Sequence, residues 1–265
     1  MFDCHMHSRF STDSTMDGAE ACETALRQGL DGIAFTDHLD IEYPGTDETF
    51  LIDYEQYFSE ITALKGLYEG RLKVLRAIEA GIQPHVIQET RNIVGSFPFD
   101  YVLASVHIID GVDPYLREYY SNKTKQEAYG RYLEEIYAMV TGFDDFDMVG
   151  HFEYIIRYAQ YDDRSLRYAD HSGVLDSILK ELIRQGRGFE VNTGTYRDPS
   201  ASVEYDFDVL KRYRELGGEL VCLGSDAHRK EHIGLRFDYY AQMLRNAGFT
   251  HTVHFENRKP VWDRL

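Results

Sequence analysis

Seven times along this chain a short apolar run is followed by a stretch of helical period, and that alternation restricts the fold more than any other feature. Runs near residues 2–7, 32–36, 73–77, 101–106, 147–150, 189–192 and 220–224 read as strands. Helices are expected near 17–29, 53–69, 84–95, 125–141, 171–185, 204–216 and 233–247, with Gly29 closing the first and Pro84 opening the third. A last strand is expected at 251–255. Strands alternating with helices build a parallel sheet, and about seven such units favour a barrel over an open sheet. The length of 265 residues could hold two average domains, but an α/β barrel fills it as one. The expectation is a single domain over residues 1–265.

The strand ends carry the chemistry. The first run finishes on His5 and His7, and residues two apart on a strand share a face. Later runs finish on or beside Asp37 and His38, Glu79, His107, His151, and Asp226 with His228, while the sixth adds Glu190 and Asn192. In a parallel barrel these ends meet on one rim, where barrel enzymes build their sites. One strand-end histidine is unremarkable surface or core chemistry. So many on one rim point to metal. A single catalytic zinc takes about three protein ligands. His5, His7, Asp13, His38, Glu79, His107, His151, Asp226 and His228 therefore suit two or three ions, with Glu79 as the bridging carboxylate. Mixed imidazole and carboxylate donors without thiolate suit zinc, manganese or iron.

Composition narrows the partners. Lys and Arg number 28 against 45 Asp and Glu, a formal charge of −17 with no basic run, so a nucleic-acid partner is not expected. No stretch approaches 18 consecutive apolar residues, and the acidic, histidine-bearing start is not a secretory signal. Cys4, Cys22 and Cys222 lack metal-finger spacing and read as reduced thiols of a cytoplasmic protein. Cys22 and Cys222 are expected in the core, and Cys4, alternating with the histidines, is expected to face away from them. His85, His171, His232, His251 and His254 are assigned to helix surfaces or packing.

His5-Met6-His7-Ser8, Thr36-Asp37-His38, Ser105-Val106-His107, Gly150-His151 and Gly224-Ser225-Asp226-Ala227-His228 together resemble the polymerase-and-histidinol-phosphatase (PHP) superfamily. Phe97-Pro98-Phe99-Asp100-Tyr101-Val102, Gly150-His151-Phe152-Glu153-Tyr154 and Glu190-Val191-Asn192-Thr193 narrow the resemblance to its monofunctional histidinol-phosphatases, over essentially the whole chain. The resemblance implies a distorted (β/α)7 TIM-like barrel with a trinuclear site at the C-terminal ends of its strands. It implies a first metal on His5, His7, Glu79 and Asp226, a second on Glu79, His107 and His151, and a third on Asp13, His38 and His228. Some members carry His where this chain has Asp13, a harder ligand that weakens zinc preference. Asp37 is expected to orient a histidine rather than to bind metal.

Two ions about 3.5–4 Å apart can hold a hydroxide that is nucleophilic near neutral pH, and here it would attack phosphorus in line with the departing alkoxide. Glu79, Asp226, His228, Arg157 and Arg197 form the expected catalytic group, the two arginines clamping the phosphate from rim loops. Histidinol phosphate also carries an amine and an imidazole, for which Asp40, Glu42 and Glu153 are the candidate acceptors. Tyrosines clustered at 115–137 and 154–168 are candidates to wall the pocket. Phosphomonoesterase action on L-histidinol phosphate in histidine biosynthesis is thus the leading reading. A PHP phosphoesterase acting on another small ester or a nucleic-acid diester, and a regulatory module with a decayed site, are the alternatives.

Overall fold

The computed structural model describes residues 1–44, 50–197 and 203–265. Its strands are β1 (Phe2–Met6), β2 (Gly32–Phe35), β3 (His38–Asp40), β4 (Lys73–Gly81), β5 (Tyr101–Ser105), β6 (Met148–Val149), β7 (Gly188–Asn192), β8 (Val221–Gly224), β9 (His251–Glu256) and β10 (Lys259–Arg264). Its helices are α1 (Gly18–Arg27), α2 (Tyr54–Leu67), α3 (Ile87–Ser96), α4 (Lys125–Gly142), α5 (Tyr168–Gln185), α6 (Phe207–Glu215) and α7 (Phe237–Asn246). Strands β1, β2, β4, β5, β6, β7 and β8 pair in that order, all in parallel. The ring closes between its ends, where His7 N donates to Ala227 O (2.9 Å) and Asp226 N to His5 O (2.7 Å). This is a seven-stranded parallel barrel, the closed sheet that the alternation favoured and, in its distortion, the form that the resemblance implied.

Local chemistry sets the helix ends. Asp17 accepts from the amides of Ala19 and Glu20 to start α1, and Thr124 with Glu127 forms a reciprocal capping box on α4. Gly186, at φ 68°, ends α5. Pro84 does not open α3, which begins at Ile87; it sits in the preceding turn. A short 3-10 turn at Lys230–His232 delays α7 to Phe237.

Apolar side chains divide between two layers. Ile33, Phe35, Val74, Ile78 and Val102 pack outward against helix residues such as Ala21, Tyr57 and Ile61. Phe2, Cys4, Ala34, Leu75, Tyr101, Leu103, Met148 and Cys222 fill the barrel interior, joined by Val253 and Phe255 of β9. The hairpin β9–β10 thereby covers the floor, opposite the rim. It turns through Asn257 and Arg258, both at positive φ, the backbone of a two-residue type I′ turn.

Four further features depart from the sequence reading. β4 runs to Gly81 rather than Ala77, because β3 and β5 pair with its second half and keep the polar Glu79 inside the sheet. β3 itself was not anticipated; it follows β2 after a break at Thr36-Asp37. β10 was also not anticipated, since its residues are largely exposed. The fourth departure is Cys4, expected on the opposite face from His5 and His7 but packed in the barrel interior. A register shift between Asp3 and Met6 puts an irregularity in β1, so simple alternation fails there. Cys22 and Cys222 are buried as expected, and all three thiols are free. Among the described residues no helix is long and apolar enough to cross a membrane.

Asp100 fastens the floor. Its carboxylate accepts from Arg76 N (3.1 Å), Arg76 Nε (3.2 Å), Lys65 Nζ (3.3 Å) and Asn257 N (3.3 Å), while its carbonyl accepts from Arg258 N (2.9 Å). Burial pushes this carboxyl up, but Arg76 and Lys65 more than offset it and hold it below its ordinary value. A carboxyl lowered in the folded state stabilises fully above its unfolded pKa of about 3.9 and loses that contribution as pH falls. Asp100→Asn is expected to cost about 2 kcal/mol near neutral pH. Urea unfolding should show the difference from wild type shrinking as the medium is acidified; a gap that widens in acid would refute the assignment.

Candidate active site

Glu79 stands at the centre of the rim, fully buried in the second half of β4. Its two oxygens face different histidines. Oε2 lies 3.3 Å from His5 Nε2, 3.5 Å from His7 Nε2 and 3.2 Å from His38 Nδ1. Oε1 lies 2.9 Å from His151 Nε2 and 3.3 Å from His107 Nε2, and accepts from Ser105 Oγ at 2.7 Å. Burial alone would raise this carboxyl, yet His5, His107 and His151 hold it well below the usual carboxylate range.

Asp226 supplies the second buried carboxylate. It sits at φ 52°, a left-handed conformation uncommon outside glycine, which turns its side chain inward from the end of β8. Oδ1 approaches His5, His7 and His228 at 3.6, 3.4 and 3.6 Å, while Oδ2 accepts from Arg157 Nη2. Arg157 and His5 keep it ionised against the cost of burial. At the mouth, Asp13 Oδ2 lies 3.0 Å from His228 Nε2 and 3.5 Å from His38 Nε2.

The nine expected ligands therefore converge. Among the described residues, donor atoms of His7, Asp13, His38 and His228 lie within 4.8 Å of one another, as do those of His5, His7 and Glu79 and those of His38, Glu79 and His107. His38 thus stands between two groupings, beside Glu79 as well as Asp13. His5 Nε2 and His7 Nε2 face each other at 3.1 Å, and the buried His38 Nδ1 makes no hydrogen bond although Glu79 lies 3.2 Å away. Nitrogen and carboxylate donors crowded this closely, with unspent lone pairs directed at common points, fit a divalent metal site.

A second ring of groups fixes the histidines. Glu190 accepts from His5 Nδ1 (2.9 Å) and His151 N (3.0 Å). Ser11 Oγ meets His7 Nδ1 at 3.0 Å and donates to Asp37 (2.7 Å), which also accepts from Ser8. Asp37 acts on a histidine, as expected, but through a serine. Gly150 is required beside this ring, because a Cβ there would lie 2.2 Å from Ser105 Oγ.

The cluster floors a cavity of about 470 Å³, walled by Tyr43, Phe50, Asp113, Tyr154 and Tyr158 and reached by both Arg157 and Arg197. The sequence profile of the PHP domain family matches residues 3–194. The chain belongs to the PHP domain family. This PHP chain is 33% identical over 258 residues to a histidinol-phosphatase of Lactococcus lactis subsp. lactis, covering 97% of this chain and 95% of that one. A Bacillus subtilis histidinol-phosphatase is 24% identical over 264 residues, covering 91% and 98%. The crystal structure of the Lactococcus lactis histidinol phosphate phosphatase, complexed with zinc, L-histidinol and phosphate, superposes with a TM-score of 0.92 at 32% identity, covering 98% of each chain.

The three acids expected to receive the substrate's amine and imidazole occupy three different settings in this PHP chain. Asp40 is buried and spent on histidines: Oδ1 meets His107 Nδ1 at 2.8 Å and Oδ2 lies 3.4 Å from His38 Nδ1. Glu42 is 68% exposed and pairs with His85. Glu153 is buried outside the cavity lining, where desolvation pushes its carboxyl up to about 8. Besides Asp40, the cavity offers Asp113, which accepts from Tyr154 Oη (2.8 Å), Tyr115 N (2.7 Å) and Tyr43 Oη. An Asp before Pro114 reads in sequence as a turn cap, and it is one; that role masks its place in the pocket. Of the tyrosine clusters, Tyr115, Tyr154 and Tyr158 reach the cavity, whereas Tyr129 and Tyr132 pack in the core.

Asp40→Asn should reduce zinc affinity about 10- to 100-fold in a chelator-competition titration, because it removes the carboxylate charge that orients His107 and raises its basicity. Unchanged zinc affinity with a raised KM would restore Asp40 as a substrate-binding group.

Proposed function

We propose that this PHP protein is a metal-dependent phosphomonoesterase that hydrolyses L-histidinol phosphate to L-histidinol and phosphate, a step of histidine biosynthesis. One observation carries the reading: a near-full-length structural match at 32% identity to a histidinol phosphate phosphatase holding zinc, L-histidinol and phosphate. The cavity's content supports it, since a metal-ligand cluster, two arginines, an acid and several tyrosines share one wall.

In this reading His5, His7, Glu79 and Asp226 hold one ion, Glu79, His107 and His151 a second, and Asp13, His38 and His228 a third. Two to three ions of zinc, manganese or iron are proposed, within one domain spanning residues 1–265 of a cytoplasmic enzyme. Bound ions would supply Lewis-acid polarisation of the phosphoryl oxygens and a nucleophile of lowered pKa. The residues around them do the positioning. Arg157, part-buried and stacked on Tyr154 at 5.3 Å, presents its guanidinium to the phosphate beside Asp226, with Arg197 as the second cation. Arg197 Nη2 already donates to the carbonyls of Ser225 (2.8 Å) and Asp226, so it also fastens the segment that follows β8. Asp113 receives the substrate ammonium, and Tyr43, Tyr154 and Tyr158 enclose the imidazole, apolar faces with polar tips. A net charge of −17 favours this small, ammonium-bearing ester over a polyanionic nucleic-acid strand.

Three measurements test this. Against sugar phosphates, nucleotides and a phosphodiester, histidinol phosphate should give the highest kcat/KM; a diester hydrolysed best would overturn the proposal. Arg157→Ala should lower kcat/KM roughly 100-fold while metal content stays intact. Asp113→Asn should raise KM about tenfold for histidinol phosphate but not for a phosphomonoester lacking an amine. Equal losses on both substrates would remove Asp113 from amine recognition.

A further inference from the structure

The sixth barrel strand reaches the rim at Asn192, a fully buried side chain that has no expected place among the metal ligands. Its amide joins groups of opposite character. Nδ2 donates to Glu190 Oε1 at 3.1 Å, the oxygen that also meets His5 Nδ1 at 2.9 Å, and lies 3.5 Å from Asp226 Oδ2. Oδ1 accepts from Arg157 Nη2 at 3.1 Å and from Thr195 N at 3.3 Å. Thr195 Oγ1 in turn accepts from Arg157 Nε at 3.0 Å. The amide can sit only one way round, because a guanidinium has no acceptor and an ionised carboxylate has no donor. Backbone geometry keeps the arrangement tight: a Cβ on Gly194 would fall 2.8 Å from Ser225 O and 2.9 Å from Asn192 Oδ1.

We propose that Asn192 is a positioning residue that ties the phosphate-binding Arg157 to the His5–Glu190 pair and to Asp226, with Thr195 accepting from the guanidinium's Nε. An arginine side chain left free samples many rotamers, and each one lost on binding costs affinity. Here three acceptors, Asn192 Oδ1, Thr195 Oγ1 and Asp226 Oδ2, fix it before the anion arrives. The same contacts turn Asp226 Oδ2 outward, leaving Oδ1 toward His5, His7 and His228. A movement of the metal-ligand cluster would therefore carry the anion-binding cation with it.

The inference rests on the role of Arg157 proposed above, and its test uses no turnover, so it stands or falls apart from the choice of substrate. Inorganic phosphate is titrated calorimetrically into the full-length, zinc-loaded protein. Asn192→Ala should weaken phosphate about tenfold. Arg157→Ala should weaken it as well, and the double variant should be no more than about twofold weaker than Arg157→Ala alone. Losses that multiply independently, or an Asn192→Ala protein that binds phosphate normally, overturn the proposal. Should Asn192→Ala fail to fold, Thr195→Val decides: this part-buried turn residue can lose its hydroxyl without collapse. It should weaken phosphate about threefold or more with zinc content unchanged. Wild-type phosphate affinity, or loss of zinc, in that variant overturns the proposal.

Discussion

One buried carboxylate organises this molecule. Glu79 has burial working against its charge, and it stays ionised because histidines approach both of its oxygens from opposite sides of the barrel. Those histidines belong to β1, to β3 and to the segments after β5 and β6, so satisfying one side chain requires four separate parts of the sheet to arrive in register. The rest of the rim follows from that demand. Asp226 completes the inner side from a left-handed backbone, while Asp40, Glu190 and the Asp37–Ser11 relay set the imidazole planes. A cluster so assembled is expensive to hold without cations.

Much of this was visible in the sequence, and the reason is geometric. A parallel barrel sends every strand end to one rim, so His5, His7, His107 and His151 could be assigned to a common mouth with no knowledge of contacts. The alternation of strand and helix was equally legible because each unit buries one continuous apolar run. Failures came wherever a side chain's direction depended on something other than period. Cys4 was turned inward by one irregularity in β1, and a shift of one residue exchanges the faces of everything on that side of it. β10 carries so little buried surface that no hydrophobic pattern marks it.

Carboxylates were harder to assign than histidines. Asp40, Glu42 and Glu153 look alike in a sequence, near the ends of strands with nothing to separate them. In the fold they occupy three different dielectric settings: one hydrogen-bonded to histidines, one in solvent beside His85, one sealed among tyrosines. Asp113 was hidden for the converse reason, since a cap before proline is sufficient cause for an aspartate and stops the search for another. Positions whose local explanation is complete can still have a second role that only tertiary contact exposes.

The β9–β10 hairpin closes the far end of the barrel with Val253 and Phe255, and this shapes traffic as well as stability. With that end plugged and the barrel interior packed, the rim-side cavity that the tyrosines line is the approach to the metal-ligand cluster.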